Sequence, residues 1–346
     1  MIQRFNNGMF VEIQEKSLTK EVVEYLQKHD VDNLWAFVTD DIPPDLLVKK
    51  GHLDHLVRKA LNLGLSIEKA IIASSYSPAR RMGLRDRGAL SPGKIADMIV
   101  LDGEPNDFSI AQVYKRGEPV EHMLSKQEPY QFASYCTESI VVNPKTDFTP
   151  LFHVGSDVGA TVRVMKKSAA STYTEEAFTH LESQSGTLQW QKSDEKLNLA
   201  IVVNRYSTAL HFMQGFVSGD CLSNGAYCTT YAHDHHNILI LGDNEQDMRI
   251  ALHWVLSHNG GICVASGGEV ACAVELPIGG ILSNLSMDEL GDQITRIQEK
   301  LHELGMRHHN PVMSLSTSTL PVSPALKLTD KGLIDVANAS IVPLFV

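Results

Sequence analysis

Between Tyr231 and Met248 the chain reads Tyr-Ala-His-Asp-His-His-Asn-Ile-Leu-Ile-Leu-Gly-Asp-Asn-Glu-Gln-Asp-Met, and three of its fifteen histidines (His233, His235 and His236) crowd into four positions. Imidazole is the side chain whose ordinary pKa lies nearest neutrality, so this cluster has the chemistry to move protons or ligate a metal. Asp234 adds a carboxylate and Asn237 an amide. The plainer alternative is a turn shaped by Asp234 and Asn237 with solvated histidines, and spacing alone leaves both readings open. A second concentration is Thr39-Asp40-Asp41, followed by Gly51-His52-Leu53-Asp54-His55. Adjacent carboxylates at the end of an apolar run suit proton transfer or a divalent cation. Their alternative is to cap the loop that continues through Pro43-Pro44, and His52 either lines a pocket or caps the helix it begins.

The elements that must position these residues are readable from periodicity. Ile238 to Leu241 is a short β-branched run, as in a buried strand, and Gly242-Asp243-Asn244 turns the chain into an amphipathic helix opened by Glu245. Near the N-terminus, Gly8 to Gln14 and Leu34 to Val38 read as strands. Between them lies a helix capped by Thr19 and running to about His29. Gly51 to Leu63 is helical with Leu53, Leu56, Val57 and Ala60 at core spacing. Ser66 caps the next helix, and Ser77-Pro78 starts another. Alternating strands and helices predict an α/β region with parallel strands, in which Asp40 and Asp41 stand at a carboxyl end.

From Arg87 the pattern changes to a glycine-proline turn and a strand ending at Asp102, with a hairpin at Val113 to Val120. The last part is α+β. It has strands at Thr161–Met165 and Asn198–Val203, a hairpin turning at Ser266-Gly267-Gly268, and a capping box at Ser286-Met287-Asp288-Glu289. The helix behind that box places Leu290, Ile294, Ile297 and Leu301 on one face.

At 346 residues the chain is long enough for two or three domains, and its 43% hydrophobic and 21% charged composition is that of a globular protein. A net charge of −11 excludes the basic face a nucleic-acid partner requires. No window of about 18 apolar residues exists to span a membrane. Five cysteines without a Cys-x-x-Cys predict reduced thiols and a cytoplasmic location.

The order of Thr39-Asp40-Asp41, Gly51 to His55, Gly88 to Asp102, Ala232 to Asn237 and Leu320 to Asp330 resembles that of bacterial adenine deaminases, in their C-terminal portion. The resemblance implies 1–86 as the C-terminal strands and helices of an amidohydrolase (β/α) barrel and 87–125 as a small β-sandwich piece. It further implies 126–160 as a linker or crossing and 161–346 as the family's α+β C-terminal domain. It implies hydrolysis of the 6-amino group of adenine at a binuclear Mn²⁺ site (or Fe²⁺ or Zn²⁺), with the purine base as small-molecule partner. Asp40 would be metal ligand and proton shuttle, with Asp41 beside it. Glu15, His52, His233, Asp234, His236 and Asn237 would be pocket residues.

Departures from the family pattern set further expectations. The family's Arg-Glu-Gly-Ser stretch stands here as Gln14-Glu15-Lys16-Ser17, an expected Arg-His as Arg205-Tyr206, and His235 replaces a serine. The His233-x-His235 spacing therefore does not count as the family's metal motif. No histidine precedes His29, and 84 residues precede Arg85, whereas a complete barrel takes about 250. The expectation is a truncated or split deaminase that forms a homo-oligomer or pairs with a missing N-terminal half. The alternatives are an inactive binding or regulatory module, and an independent metallohydrolase built on His233, His235 and His236.

Overall fold

The computed structural model describes residues 1–104, 107–124 and 130–346, so small parts of the expected β-sandwich piece and linker (105–106 and 125–129) lie outside the described residues. The chain divides into two compact units, Met1–Tyr130 and Gln131–Val346. The architecture is mixed α/β.

In the first unit the strands Val11–Ile13 and Trp35–Phe37 pair in parallel, with Val11 opposite Trp35. The crossover between them contains the helix Lys20–Lys28, capped where Thr19 Oγ1 accepts from the Val22 N–H. Trp35, Ala36 and Phe37 are all buried, as expected of a parallel strand covered on both faces. Val23 and Leu26 of that helix, and Leu56, Val57 and Ala60 of the helix Leu53–Asn62, supply the cover.

One expectation needs correction. The separate helix start expected at Ser77-Pro78 is a continuation: Ile67–Ile71 runs through a π-helical turn, Ile72–Tyr76, into Ser77–Arg81. Proline has no N–H to give and its ring crowds the carbonyl four residues back in an α-helix, and the wider turn relieves both. Ser74 and Ser75 hydroxyls donate to the carbonyls of Ala70 and Ile71, at 2.9 and 2.6 Å.

The antiparallel sheet Met98–Asp102, Ser109–Lys115 and Glu118–Pro119 completes this unit. Its Ile99, Val100, Ile110 and Val113 are exposed. An open, mainly apolar cavity of about 780 Å³ lies against it, lined by residues including Val57, Ile71, Met82, Leu90, Ile99 and Val113.

The second unit is built on an eight-stranded sheet. Its spatial order is Glu269–Glu275, Gly261–Ser266, Ala226–Thr229, Ile238–Gly242, Leu197–Val203, Phe212–Gly219, Ala160–Ser168 and Ser171–Leu181. Side chains alternate across it: Leu199, Ile201 and Val203 pack with the helix Glu245–Ser257 on one face. Ala200 and Val202 pack with the helix Met287–Glu303 on the other, so the sheet has a core on both sides. Asn244 caps the first helix, and the Ser286–Glu289 capping box opens the second. Val142, Leu151, Phe152 and Val154, from the stretch read as a linker, are buried in this core. No helix among the described residues is long and apolar enough to cross a membrane.

Candidate active site

The parallel pair places two chain segments at one strand end. After Ile13 come Gln14 and a 3-10 turn, Glu15–Ser17; after Phe37 come Val38, Thr39, Asp40 and Asp41. The Val38 N–H donates to the Ile13 carbonyl at 3.1 Å, carrying the pairing to the edge of the site. Asp40 has φ +55°, the left-handed region a short polar side chain tolerates. Gln14 Nε2 donates to Asp40 Oδ2, tying the two strand ends together. Thr39 Oγ1 bonds His52 Nε2 at 3.0 Å. The His52 ring makes no cap; the His52 backbone N–H donates to Asp54 Oδ1 at 2.7 Å. The helix Pro44–Lys50 starts from Pro43, which gives it no side-chain cap.

Glu15 is the centre of a charged group. Its Oε1 accepts from His55 Nε2 at 3.0 Å, with Lys50 Nζ at 3.6 Å and Lys59 Nζ at 3.8 Å. The His55 hydrogen bond, and then the lysine and histidine charges, hold its carboxyl below the usual carboxylate range against a smaller opposing effect of burial. Gln14, Thr39, His55, Lys50 and Lys59 were not singled out from sequence as site residues. His55 carried a signal, standing three residues after His52 in the stretch Gly51 to His55.

The other sequence-marked cluster lies in the second unit. His233 and Asn237 are buried, His235 and His236 half-buried, and Asp234 is exposed at the tip. The His236 N–H closes the loop onto the Ala232 carbonyl at 2.7 Å. His233 Nδ1 bonds Ser316 Oγ at 3.0 Å, and Thr319 Oγ1 donates to the His233 carbonyl at 2.8 Å. Burial is the largest influence lowering the pKa of His235 and of His236, so both favour the neutral ring. Arg205, buried and named from sequence only as half of a departure, reaches the carbonyls of His236 and Gly279.

Among the described residues no three His, Cys, Asp or Glu side chains converge as a metal-binding group. Asp40 offers one carboxylate, already engaged by an amide, so the donors present do not by themselves fit a binuclear ion. The histidine loop likewise forms no such group among the described residues.

Residues 19–120, which include Asp40, Asp41 and His52, match the amidohydrolase family. Residues 171–340 match the adenine deaminase C-terminal domain. An adenine deaminase 2 of Shouchella clausii is 43% identical across 100% of this chain and 61% of its own length. An adenine deaminase of Clostridium perfringens is 42% identical across 99% of this chain and 61% of its own. A third relative, an adenine deaminase 2 of Oenococcus oeni, is 37% identical across 99% and 60%. The chain is thus similar to the later portion of adenine deaminases of the amidohydrolase family, and it spans about three-fifths of the length of these relatives.

Proposed function

We propose that this chain carries the later part of an adenine deaminase: adenine and water give hypoxanthine and ammonia. The observation that supports it is identity of 42–43% to two adenine deaminases over essentially the whole chain. The geometry accords with it. Asp40 stands at the carboxyl end of a buried parallel strand, where barrel enzymes keep ligands and acid–base groups. With Gln14 holding Oδ2, Oδ1 is the oxygen to accept a proton from attacking water and return it to the departing amine. His52, fixed by Thr39, and Glu15, fixed by His55, border that carboxylate's segment as pocket residues, and Asp41 is the neighbouring acid.

Amidohydrolases in general use divalent metal ions, which make bound water acidic enough to attack at neutral pH. A binuclear centre of Mn²⁺, Fe²⁺ or Zn²⁺ needs ligands beyond those gathered here. The proposal therefore assigns activity to this chain together with the two-fifths of its relatives' length that it does not span, whether in one polypeptide or two. The exposed apolar face of the first unit is the surface available for a partner or a second copy. The five free thiols suit a reducing, cytoplasmic setting.

The test mixes the purified chain with the complementary segment of a relative, adenine and Mn²⁺. Ammonia release on the order of 1 per second or faster is expected of the mixture and not of the chain alone. A folded, metal-loaded mixture without ammonia release would overturn the reading. The second reading is an inactive binding module. It predicts adenine binding without turnover or metal, read by calorimetry and elemental analysis.

A further inference from the structure

The backbone that carries Asp40 is held from two sides. On one, Gln14, the residue that follows the neighbouring strand Val11–Ile13, donates from Nε2 to Asp40 Oδ2. On the other, Thr39 Oγ1, one residue before Asp40, bonds His52 Nε2 at 3.0 Å. His52 is itself fixed from behind. Its backbone N–H donates to Asp54 Oδ1 at 2.7 Å, and Asp54 Oδ2 accepts from Arg58 Nη2 at 2.5 Å. The same guanidinium nitrogen donates to the Lys50 carbonyl at 3.3 Å. Gly51 permits this packing: its φ is +95°, and a Cβ there would stand 2.7 Å from Asp54 Oδ2. All of these residues belong to the first unit.

The two holds act on a strained point. Asp40 has φ +55°, a left-handed backbone that is unfavourable for an L-residue and persists where its surroundings over-determine it. Asp40 is also exposed, so water competes for its carboxylate and the Gln14 bond adds little to stability. The effect of that bond is on direction. An amide N–H only donates, and protonating the oxygen that faces it would weaken the bond. A proton on this carboxylate therefore rides on Oδ1. An unheld carboxylate would offer both oxygens, because its terminal torsion is broad and two-fold.

We infer that Gln14 and His52 are positioning residues, which lock the Thr39-Asp40 backbone and reserve Asp40 Oδ1 for the proton in flight. The role of Oδ1 rests on the deaminase reading above, whereas the lock does not, and the two are tested apart. In the chain alone, the ¹³Cα and ¹³Cβ shifts of Asp40 report its φ. Gln14→Leu removes the donor and His52→Ala the ring. Each should move those shifts from left-handed toward extended values, and the double variant further, while the melting temperature holds. One side-chain amide proton of Gln14 should stand downfield and return to its ordinary position in Asp40→Ala. Parent-like Asp40 shifts in the double variant, or a Gln14 amide indifferent to Asp40→Ala, overturn the lock.

In the reconstituted enzyme, Gln14→Leu should lower kcat about tenfold at little change in KM, because orientation acts on proton transfer and not on purine binding. Gln14→Arg keeps an N–H donor with reach to spare and should recover most of the loss. A rise in KM at constant kcat, or no recovery with arginine, overturns the role given to Oδ1. A parent mixture that releases no ammonia overturns the deaminase reading and that role with it, while the shifts still decide the lock.

Discussion

In the first unit Asp40, Glu15, His52 and His55 stand on segments that leave the strand end or pack beside it, partly open to water, in three separate side-chain pairs: Asp40 with Gln14, His52 with Thr39 and Glu15 with His55. In the second unit the comparably charged groups are enclosed. Lys167 Nζ donates to the Ser314 carbonyl at 2.6 Å and to Ser318 Oγ at 3.2 Å, and the buried Lys327 donates to the Thr172 carbonyl at 3.2 Å. Burial pushes Lys167 down to about 7 and Lys327 to about 8. A perturbed pKa is a guide to functional sites, but here the larger perturbation marks packing. A proton shuttle must reach its substrate, and Lys167 reaches only the protein around it. The apolar surfaces differ in the same sense: the eight-stranded sheet is covered on both faces, whereas the three-stranded sheet leaves Ile99, Val100, Ile110 and Val113 exposed.

The largest effect that would break this comparison is on catalysis. Asp40→Asn in the reconstituted enzyme keeps the shape and removes the basicity, and should lower ammonia release by roughly 100- to 10,000-fold. The melting temperature should stay within a few degrees. Near-parental turnover would move the shuttle to Asp41.

Next comes packing. Ile240→Ala, in a fully buried strand, should cost about 2–5 kcal/mol in urea unfolding, whereas Ile99→Ala in the open sheet should cost under about 0.5 kcal/mol. A large loss for Ile99→Ala would show that something covers that sheet in solution.

The buried lysines give a smaller, pH-dependent effect. Their folded pKa values lie below the 10.5 of an exposed lysine, so from about pH 7 upward the unfolded chain binds more protons than the folded one. Stability of the second unit should therefore rise with pH, by about 2 kcal/mol between pH 7 and 8.5. Above that range the buried Cys228 and Cys263, whose thiols burial raises, act in the opposite direction. Lys167→Met should flatten the slope in urea unfolding series. An unaltered slope would mean that Lys167 titrates normally.

Sequence carried the elements more fully than the contacts between them. Ile238 to Leu241, the Asn244 turn and the Ser286 capping box were legible because each is a local signal. Asp40 was legible as a strand-end residue because a buried run stops just before it. Pro78 misled, since a proline that usually starts a helix is here absorbed by a π turn. Glu15 was marked, but its hold by His55, Lys50 and Lys59 was not, because that depends on where the helix Leu53–Asn62 packs. Arg205 was noted only as part of a departure, since no spacing rule links it to residues thirty positions on.

The smallest effect tests the open side of the comparison. Glu15 and its cationic neighbours are partly solvated, so their attraction should be weak and screened by salt. Removing the His55 bond, the largest influence on Glu15, by His55→Ala should move its carboxyl back up toward the ordinary 4.5, visible in carboxyl ¹³C titration. The sign for stability follows from the lowered folded value. The contribution is present above the unfolded carboxylate pKa and is lost as pH falls through the folded one. At neutral pH His55→Ala should therefore cost no more than about 0.5 kcal/mol, and less at high salt. A cost of several kcal/mol, insensitive to salt, would mean that Glu15 is as enclosed as Lys167, and the contrast between an open site and a closed core would fail at this residue.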